Sequence, residues 1–293
     1  MSSFSSDEAG FETPNVEGLS IDAALKLQRY LDSDSPRADV ERLLCHILGC
    51  EHSYLRTWPD KLLSAEQANS FLALLGRRVD GAPVAYLTGR QGFWSLDLEV
   101  NESTLIPRAD TECLVEHILS LGLPEKAQVL DLGTGTGAIA LALASERQLW
   151  TVMGTDLNED AVALAKRNAE RNHLSRVAFH CGSWFSAVPK QHSFDLIVSN
   201  PPYIDPLDAH LEQGDVRFEP LSALVAQNSG LADLELIAQQ SINYLRSNSW
   251  VVLEHGYDQG SAVCQLLLEK GFTKVQTFKD YGSNERFSAG QLA

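Results

Sequence analysis

Val129-Leu130-Asp131-Leu132-Gly133-Thr134-Gly135-Thr136-Gly137 decides how the chain is to be read. The apolar residues at its start suit a strand, and the Ala138-Ile139-Ala140 that follows suits a helix. Between them the glycines let the backbone turn sharply and come close to a ligand. The spacing is Gly-x-Gly-x-Gly, with Asp131 just ahead of it. A carboxylate there would repel a pyrophosphate but suits a ligand bearing an ammonium or sulfonium group. Asp156 closes Val152-Met153-Gly154-Thr155-Asp156, about twenty residues beyond the loop. A carboxylate so placed accepts hydrogen bonds from both hydroxyls of a ribose. This serves a nicotinamide dinucleotide and S-adenosylmethionine equally, so Asp156 does not choose between them.

From Ala127 onward, strand and helix patterns alternate. Strands are expected at 128–132, 150–156, 176–180, 194–199 and 249–254, with a last strand or pair within 273–278 and 286–289. Helices lie between them, as at 158–172 and 230–245. Such alternation with short loops builds a Rossmann-like α/β domain, a parallel sheet covered on both faces, here placed at 109–293. Asp110 or Thr111 is expected to cap its first helix.

Upstream the period is helical. Ile21, Ala24 and Leu25 share one face; Pro36 opens a helix that Gly49 stops; Ser64, with Gln67 three residues on, caps a third. Residues 19–82 therefore read as a small all-helical domain ended by Gly81-Ala82-Pro83. Over 83–108 the period shortens to two: Phe93, Ser95, Asp97 and Glu99 alternate against Trp94, Leu96, Leu98 and Val100 until Asn101-Glu102-Ser103 breaks the run. This predicts a β-hairpin connecting two domains. Residues 1–18, rich in Ser, Glu and Gly, read as a disordered tail.

The chemistry is carried by Asn200-Pro201-Pro202-Tyr203, at the carboxyl end of the strand expected at 194–199. Ligands of open α/β sheets bind at that edge. Two prolines donate no hydrogen bonds, so they end the strand and leave a rigid segment with free carbonyls. A planar amide or amino nitrogen is a poor nucleophile because its lone pair is delocalised. Two acceptors, the Asn200 side-chain oxygen and the Pro201 carbonyl, can hold its two hydrogens and turn lone-pair density toward a methyl donor. Tyr203 can stack on the planar group. In-line positioning then carries most of the catalysis, and no separate general base is required.

Composition narrows the partners. The 293 residues carry a net charge of -16, the opposite of what a grip on phosphate backbones needs, so no direct nucleic-acid partner is expected. Apolar residues make up 44% of the chain, yet no run approaches a membrane span and the start is not a signal peptide. The reading is of a soluble, cytoplasmic protein, taken as a monomer. Cys45 and Cys50 stand near His46 and His52, but their spacing matches no common zinc pattern and no metal is expected.

Several stretches together resemble the peptide chain release factor glutamine methyltransferases. They are Thr104-Leu105-Ile106-Pro107-Arg108, the 131–137 loop, Ser199-Asn200-Pro201-Pro202-Tyr203-Ile204, Gly214-Asp215-Val216-Arg217-Phe218-Glu219-Pro220 and Leu253-Glu254-His255-Gly256. The resemblance implies S-adenosylmethionine as cofactor and, as substrate, the glutamine of the Gly-Gly-Gln motif in class 1 release factors. It implies cofactor contacts at Gly133, Thr134, Gly135, Thr136, Gly137, Asp156, Trp184 and Asn200, with Trp184 against the adenine. It puts the substrate glutamine on Asn200, Pro201, Pro202 and Tyr203. A Gly-Gly-Gln tip offers few side-chain handles, so the helical domain is expected to recognise the substrate protein. The chain departs from the family at Ser183, often Asp, and at Ala109, usually Pro. The alternative is an adenine amino-group methyltransferase acting on DNA or RNA, since an exocyclic amine poses the same two-hydrogen problem.

Overall fold

Local signals start the helices. In a computed structural model that describes residues 16–293, Ser20 accepts the Ala23 N–H at 3.2 Å and opens α1 (Ile21–Leu25), which tightens into a 3₁₀ turn over Lys26–Tyr30. Of the tail expected at 1–18, residues 1–15 lie outside the described residues. α2 (Pro36–Leu48) has proline in its first turn and ends on Gly49 in the left-handed region at φ 60°. α3 (His52–Thr57) follows. α4 (Ala65–Val79) begins with the expected capping box: Ser64 and Gln67 each accept the other's backbone N–H. α5 (Val84–Thr88), not expected from the sequence, closes the series at Gly89. Ile21, Val40, Leu43, Leu44, Phe71 and Leu75 form the buried centre of this helical unit.

The unit takes in the described residues up to Gly89 together with a distant piece of chain, Leu211–Phe218. Arg78 explains the distant piece. Its Nε donates to Asp39 at 2.8 Å and its Nη1 to Asp215 at 3.0 Å. Arg217 donates to the Asp80 carbonyl at 3.1 Å. The division therefore falls at Gly89, not at residue 82, because Val84 and Leu87 of α5 belong to the helical core.

The catalytic unit, Arg90–His210 with Glu219–Ala293, starts with β1 (Arg90–Phe93) and β2 (Leu96–Glu99), an antiparallel pair. The expected unbroken alternation is reversed at Trp94, which sits at φ 56°. Phe93 is consequently buried with Leu96 and Leu98 instead of sharing the exposed phase of Asp97. The hairpin is part of this unit, not a free connector. Buried Asn168 accepts the Glu99 N–H at 2.7 Å and donates to the carbonyls of Glu99 and Thr136 at 3.0 and 2.9 Å.

The chain then runs α6 (Asp110–Ser120), β3 (Gln128–Leu132), α7 (Ala138–Glu146), β4 (Thr151–Asp156), α8 (Glu159–Arg171), β5 (Ala178–Cys181), β6 (Phe194–Ser199), α9 (Ala232–Ser241), β7 (Leu245–Glu254), α10 (Gly260–Glu269), β8 (Phe272–Lys279) and β9 (Glu285–Leu292). The N-cap of α6 is Ala109, not Asp110 or Thr111, with helical φ and ψ that a proline would also fit. Thr111 instead turns its side chain inward and is buried. The sheet order is β5-β4-β3-β6-β7-β9-β8, parallel from β5 to β7 and antiparallel at β9 and β8. Every residue of β6 is buried, as expected for a strand covered on both faces. The strand order reverses between β3 and β6, which puts the ligand edge at their carboxyl ends. Among the described residues no helix is long and apolar enough to cross a membrane.

His117 on α6 packs its ring 3.9 Å from that of Phe278 and 5.3 Å from that of Phe287, with Nε2 buried and unpartnered. Burial holds its pKa below the ordinary imidazole value. The unfolded chain binds a proton near pH 6.5 that the folded chain resists, so the stability tied to the neutral ring is present above about pH 6.5 and lost as pH falls below it. The unfolding midpoint should drop more for the wild type than for His117→Phe between about pH 7.5 and 5.5. Parallel curves in a thermal melt series would show that the ring takes up its proton without cost. His255, buried and depressed as well, titrates in both proteins.

Candidate functional site

The glycine loop and the end of β4 are tied together before any ligand is considered. The Gly135 N–H donates to Asp156 Oδ2 at 2.9 Å, and Asp156 Oδ1 accepts the Asn158 N–H at 2.9 Å. Both carboxylate oxygens are thus oriented at the mouth of a cavity of about 450 Å³ that lies wholly within the catalytic unit. Gly133 sits at φ 68°, where an L side chain is strained, and a Cβ there would stand 3.2 Å from the Trp184 ring, which would have to give way. Trp184 is itself held at φ 46°, its carbonyl accepting the Thr155 hydroxyl at 3.1 Å.

Asp131 does something other than expected. It lies beneath the loop, off the cavity wall, where its Oδ2 accepts the Thr134 hydroxyl at 2.6 Å and the Ala140 N–H at 3.2 Å. It therefore holds the loop and the first turn of α7 in place. Its Oδ1 is buried without a hydrogen-bond partner, and burial pushes its pKa up to about 7.

Of the residues singled out from the sequence, Gly133, Thr134, Gly135, Thr136, Asp156, Trp184, Asn200 and Pro202 line the cavity. Gly137 does not; it is the N-cap of α7 at φ 84°. Pro201 and Tyr203 are also absent from the wall. The Tyr203 hydroxyl instead donates to Glu254 Oε1 at 3.4 Å, and burial with the nearby Glu254 carboxyl raises its pKa. Glu254, at the end of β7, is itself buried; burial pushes its pKa up to about 7, against the charge of Arg286 and the Tyr203 hydroxyl that hold it down. Ser183, where the resembling family often has Asp, lines the cavity as well.

One wall was not foreseen as a wall. Ser103, Thr104, Leu105, Pro107, Arg108 and Thr111 also line the cavity. Buried Glu219 fixes this stretch: its Oε1 accepts the Ile106 N–H at 3.0 Å and its Oε2 pairs with Arg108 at 2.6 Å. Only the motif resemblance at 104–108 and 214–220 marked these residues in advance.

With this geometry described, comparison with known proteins is informative. Residues 108–230 match the family model described as the methyltransferase small domain, and residues 22–89 match the PrmC N-terminal domain. The release factor glutamine methyltransferase of Aliivibrio fischeri is 50% identical over 277 residues, 93% of this chain and 98% of the relative. That of Pseudomonas aeruginosa is 53% identical over 269 residues, 92% and 97% of the two chains. The chain belongs to the release factor glutamine methyltransferase family. A solved methyltransferase from Pyrococcus furiosus, 19% identical with a TM-score of 0.52, covers 74% of this chain and 96% of its own and shares the fold.

S-adenosylmethionine is the cofactor of this enzyme, and the residues present fit it. Asp156 and Trp184 both line the cavity, where the Asp156 carboxylate could accept from a ribose and the Trp184 ring could lie against a flat base. Asp156→Ala should lower cofactor affinity by about tenfold or more, since each charge-assisted hydrogen bond to ribose contributes about 1.5–3 kcal/mol. Unchanged affinity by calorimetry would remove Asp156 from the site.

Proposed function

We propose that this chain methylates the side-chain amide nitrogen of the glutamine in the Gly-Gly-Gln motif of class 1 peptide chain release factors. The observation that carries the reading is the placement of Asn200 on the cavity wall, at the end of fully buried β6 and beside the glycine loop that ends the paired strand β3. When bound, S-adenosylmethionine supplies an electrophilic methyl on a sulfonium. The chain supplies position. The Asn200 oxygen and the Pro201 carbonyl accept the two amide hydrogens, Pro202 shapes the wall beside them, and rigidity at the two prolines keeps both acceptors in register. Tyr203 contributes from behind, through Glu254, and its stacking on the substrate amide would need a different side-chain direction from the one described.

Incubation of a release factor with enzyme and cofactor, followed by mass spectrometry of the Gly-Gly-Gln peptide, tests the reading. One added methyl on the glutamine is the expected result. An unmodified release factor, with methylated adenine in duplex DNA or tRNA under the same conditions, would replace it by the nucleic-acid alternative, against which the charge of -16 argues. The enzyme acts in the cytoplasm as a monomer in this reading.

The helical unit supplies specificity for the substrate protein. A Gly-Gly-Gln tip is small and offers few side-chain handles, whereas affinity comes from buried anchors over a larger interface. The full-length enzyme should therefore show a kcat/KM for an intact release factor at least about 100-fold above that for a short Gly-Gly-Gln peptide. Equal values would leave the helical unit without a role in selection.

A further inference from the structure

Pro201 and Pro202 carry no N–H, so the N–H groups that can anchor the Asn-Pro-Pro-Tyr segment lie at its ends. At the near end Ser199 sits in the ladder of β6, opposite Leu132 and Leu253. At the far end the Tyr203 N–H donates to the Leu224 carbonyl at 3.2 Å, and the Tyr203 carbonyl accepts from Gln259 Nε2 at 3.0 Å. Gln259 stands in the turn between β7 and α10, 56 positions later in the chain. Its Nε2 also donates to the Ser229 carbonyl at 3.1 Å, and its Oε1 accepts the Gly256 N–H at 2.8 Å. A peptide N–H only donates and a peptide carbonyl only accepts, so Oε1 must face Gly256 and Nε2 the two carbonyls. The turn that brings Ser229 there is strained: Asn228, Ser229 and Gly230 follow one another at φ 56°, 53° and 80°, all left-handed and two of them not glycine. Such a run persists where its surroundings over-determine it. Gly230 is buried, and a Cβ on it would overlap the Tyr203 carbonyl oxygen, so the turn is pressed against the same atom that Gln259 holds.

We infer that Gln259 is a positioning residue for the methyl transfer: by holding the Tyr203 carbonyl against Gly256 and the 228–230 turn, it fixes the far end of the Asn-Pro-Pro-Tyr segment and so the aim of the Pro201 carbonyl. This rests on the reading of Asn200 and Pro201 as holders of the substrate amide. The two proline rings lock φ near −65°, so a shift at Tyr203 is passed back along the segment instead of being absorbed within it. A misplacement of about 1 Å at a reacting group can cost about 100-fold in rate. The side-chain hydrogen bonds of Gln259 go to Gly256, Tyr203 and Ser229, whereas the candidate cofactor contacts are the glycine loop, Asp156 and Trp184. Loss of the clamp therefore falls on turnover and spares cofactor binding.

The experiment compares Gln259→Met, which keeps the length of the side chain and removes its amide, with Gly230→Ala, which adds the Cβ that the Tyr203 carbonyl excludes. Asn200→Ala is measured beside them. For each full-length variant, kcat and KM on an intact release factor, cofactor affinity by calorimetry and the unfolding midpoint are determined. Gln259→Met and Gly230→Ala should each lower kcat by about tenfold or more, with KM and cofactor affinity within about threefold of wild type. If one of the two fails to fold, the other decides. Wild-type kcat in Gln259→Met beside a crippled Asn200→Ala would overturn the clamp and leave the motif reading standing, and so would a change confined to KM. Loss of the folded state in both variants, or loss of cofactor binding in step with turnover, would overturn it too, because the contact would then serve the fold as a whole. Full turnover in Asn200→Ala would instead bring down the reading of the motif itself.

Discussion

Asn200→Ala is expected to lower turnover on a release factor by about 100-fold while the protein stays folded. The side chain stands at the carboxyl end of β6, whose six residues are all buried, so its backbone is fixed by the parallel neighbours β3 and β7. In the proposed reading, truncation removes one acceptor for the reacting amide and leaves the sheet untouched. Because alignment matters only once the substrate amide is in place, the loss should fall on kcat. Circular dichroism and the unfolding midpoint should match wild type, and single-turnover kinetics with saturating cofactor should show the deficit in the chemical step. A variant with normal turnover would mean that the amide is held elsewhere.

Glu219→Ala carries the second large effect, on stability and on cofactor binding together. Its carboxylate is fully buried and serves two groups more than a hundred positions earlier in the chain, the Ile106 N–H and the Arg108 guanidinium. Loss of the acceptor leaves a buried N–H unpaired and opens a cavity under the 103–108 wall. Together these cost about 3 kcal/mol, or roughly 6–12 °C in Tm for a unit of this size. The exposed part of Arg108 rehydrates, which keeps the figure below that for stranding a fully buried charge. Glu219→Gln retains an oxygen for Ile106 and should recover about half of the loss. Equal melting of Glu219→Ala and wild type would show that the wall holds without this carboxylate.

The architecture was readable wherever one signal sufficed. A glycine loop between an apolar strand and an alanine-rich helix placed β3 and α7, a mostly apolar run from Phe194 to Val198 placed β6, and two prolines ended it. The capping box of Ser64 and Gln67 and the stop at Gly49 were equally local. What stayed hidden depended on residues far apart in the chain. The expected hairpin is there, but it reverses at Trp94 and Ser95, which carry none of the Gly, Asn or Asp signal that marks most tight turns, so the position of its turn was not legible. Thr111 looks like a helix cap in sequence because threonine after a break usually is one; only its burial and its contact with Asn200 show another role. Asp131 was read as suiting a charged ligand because it abuts the loop, yet its carboxylate is buried and taken by the Thr134 hydroxyl and the Ala140 N–H. Nothing local marks Glu219 as the anchor of a wall at 103–108.

The membership of Leu211–Phe218 in the helical unit bears on how such an enzyme can be rebuilt. The chain leaves the catalytic unit after His210 and rejoins it at Glu219, so the helical unit is not an appendage that ends where the glycine at 89 ends it. A chimera that exchanges only the N-terminal part would bring a foreign partner to Asp215 and Arg217, whose matching groups are Arg78 and Asp80. Transplanting substrate preference between relatives therefore calls for two crossovers, with the short internal segment travelling together with the helices.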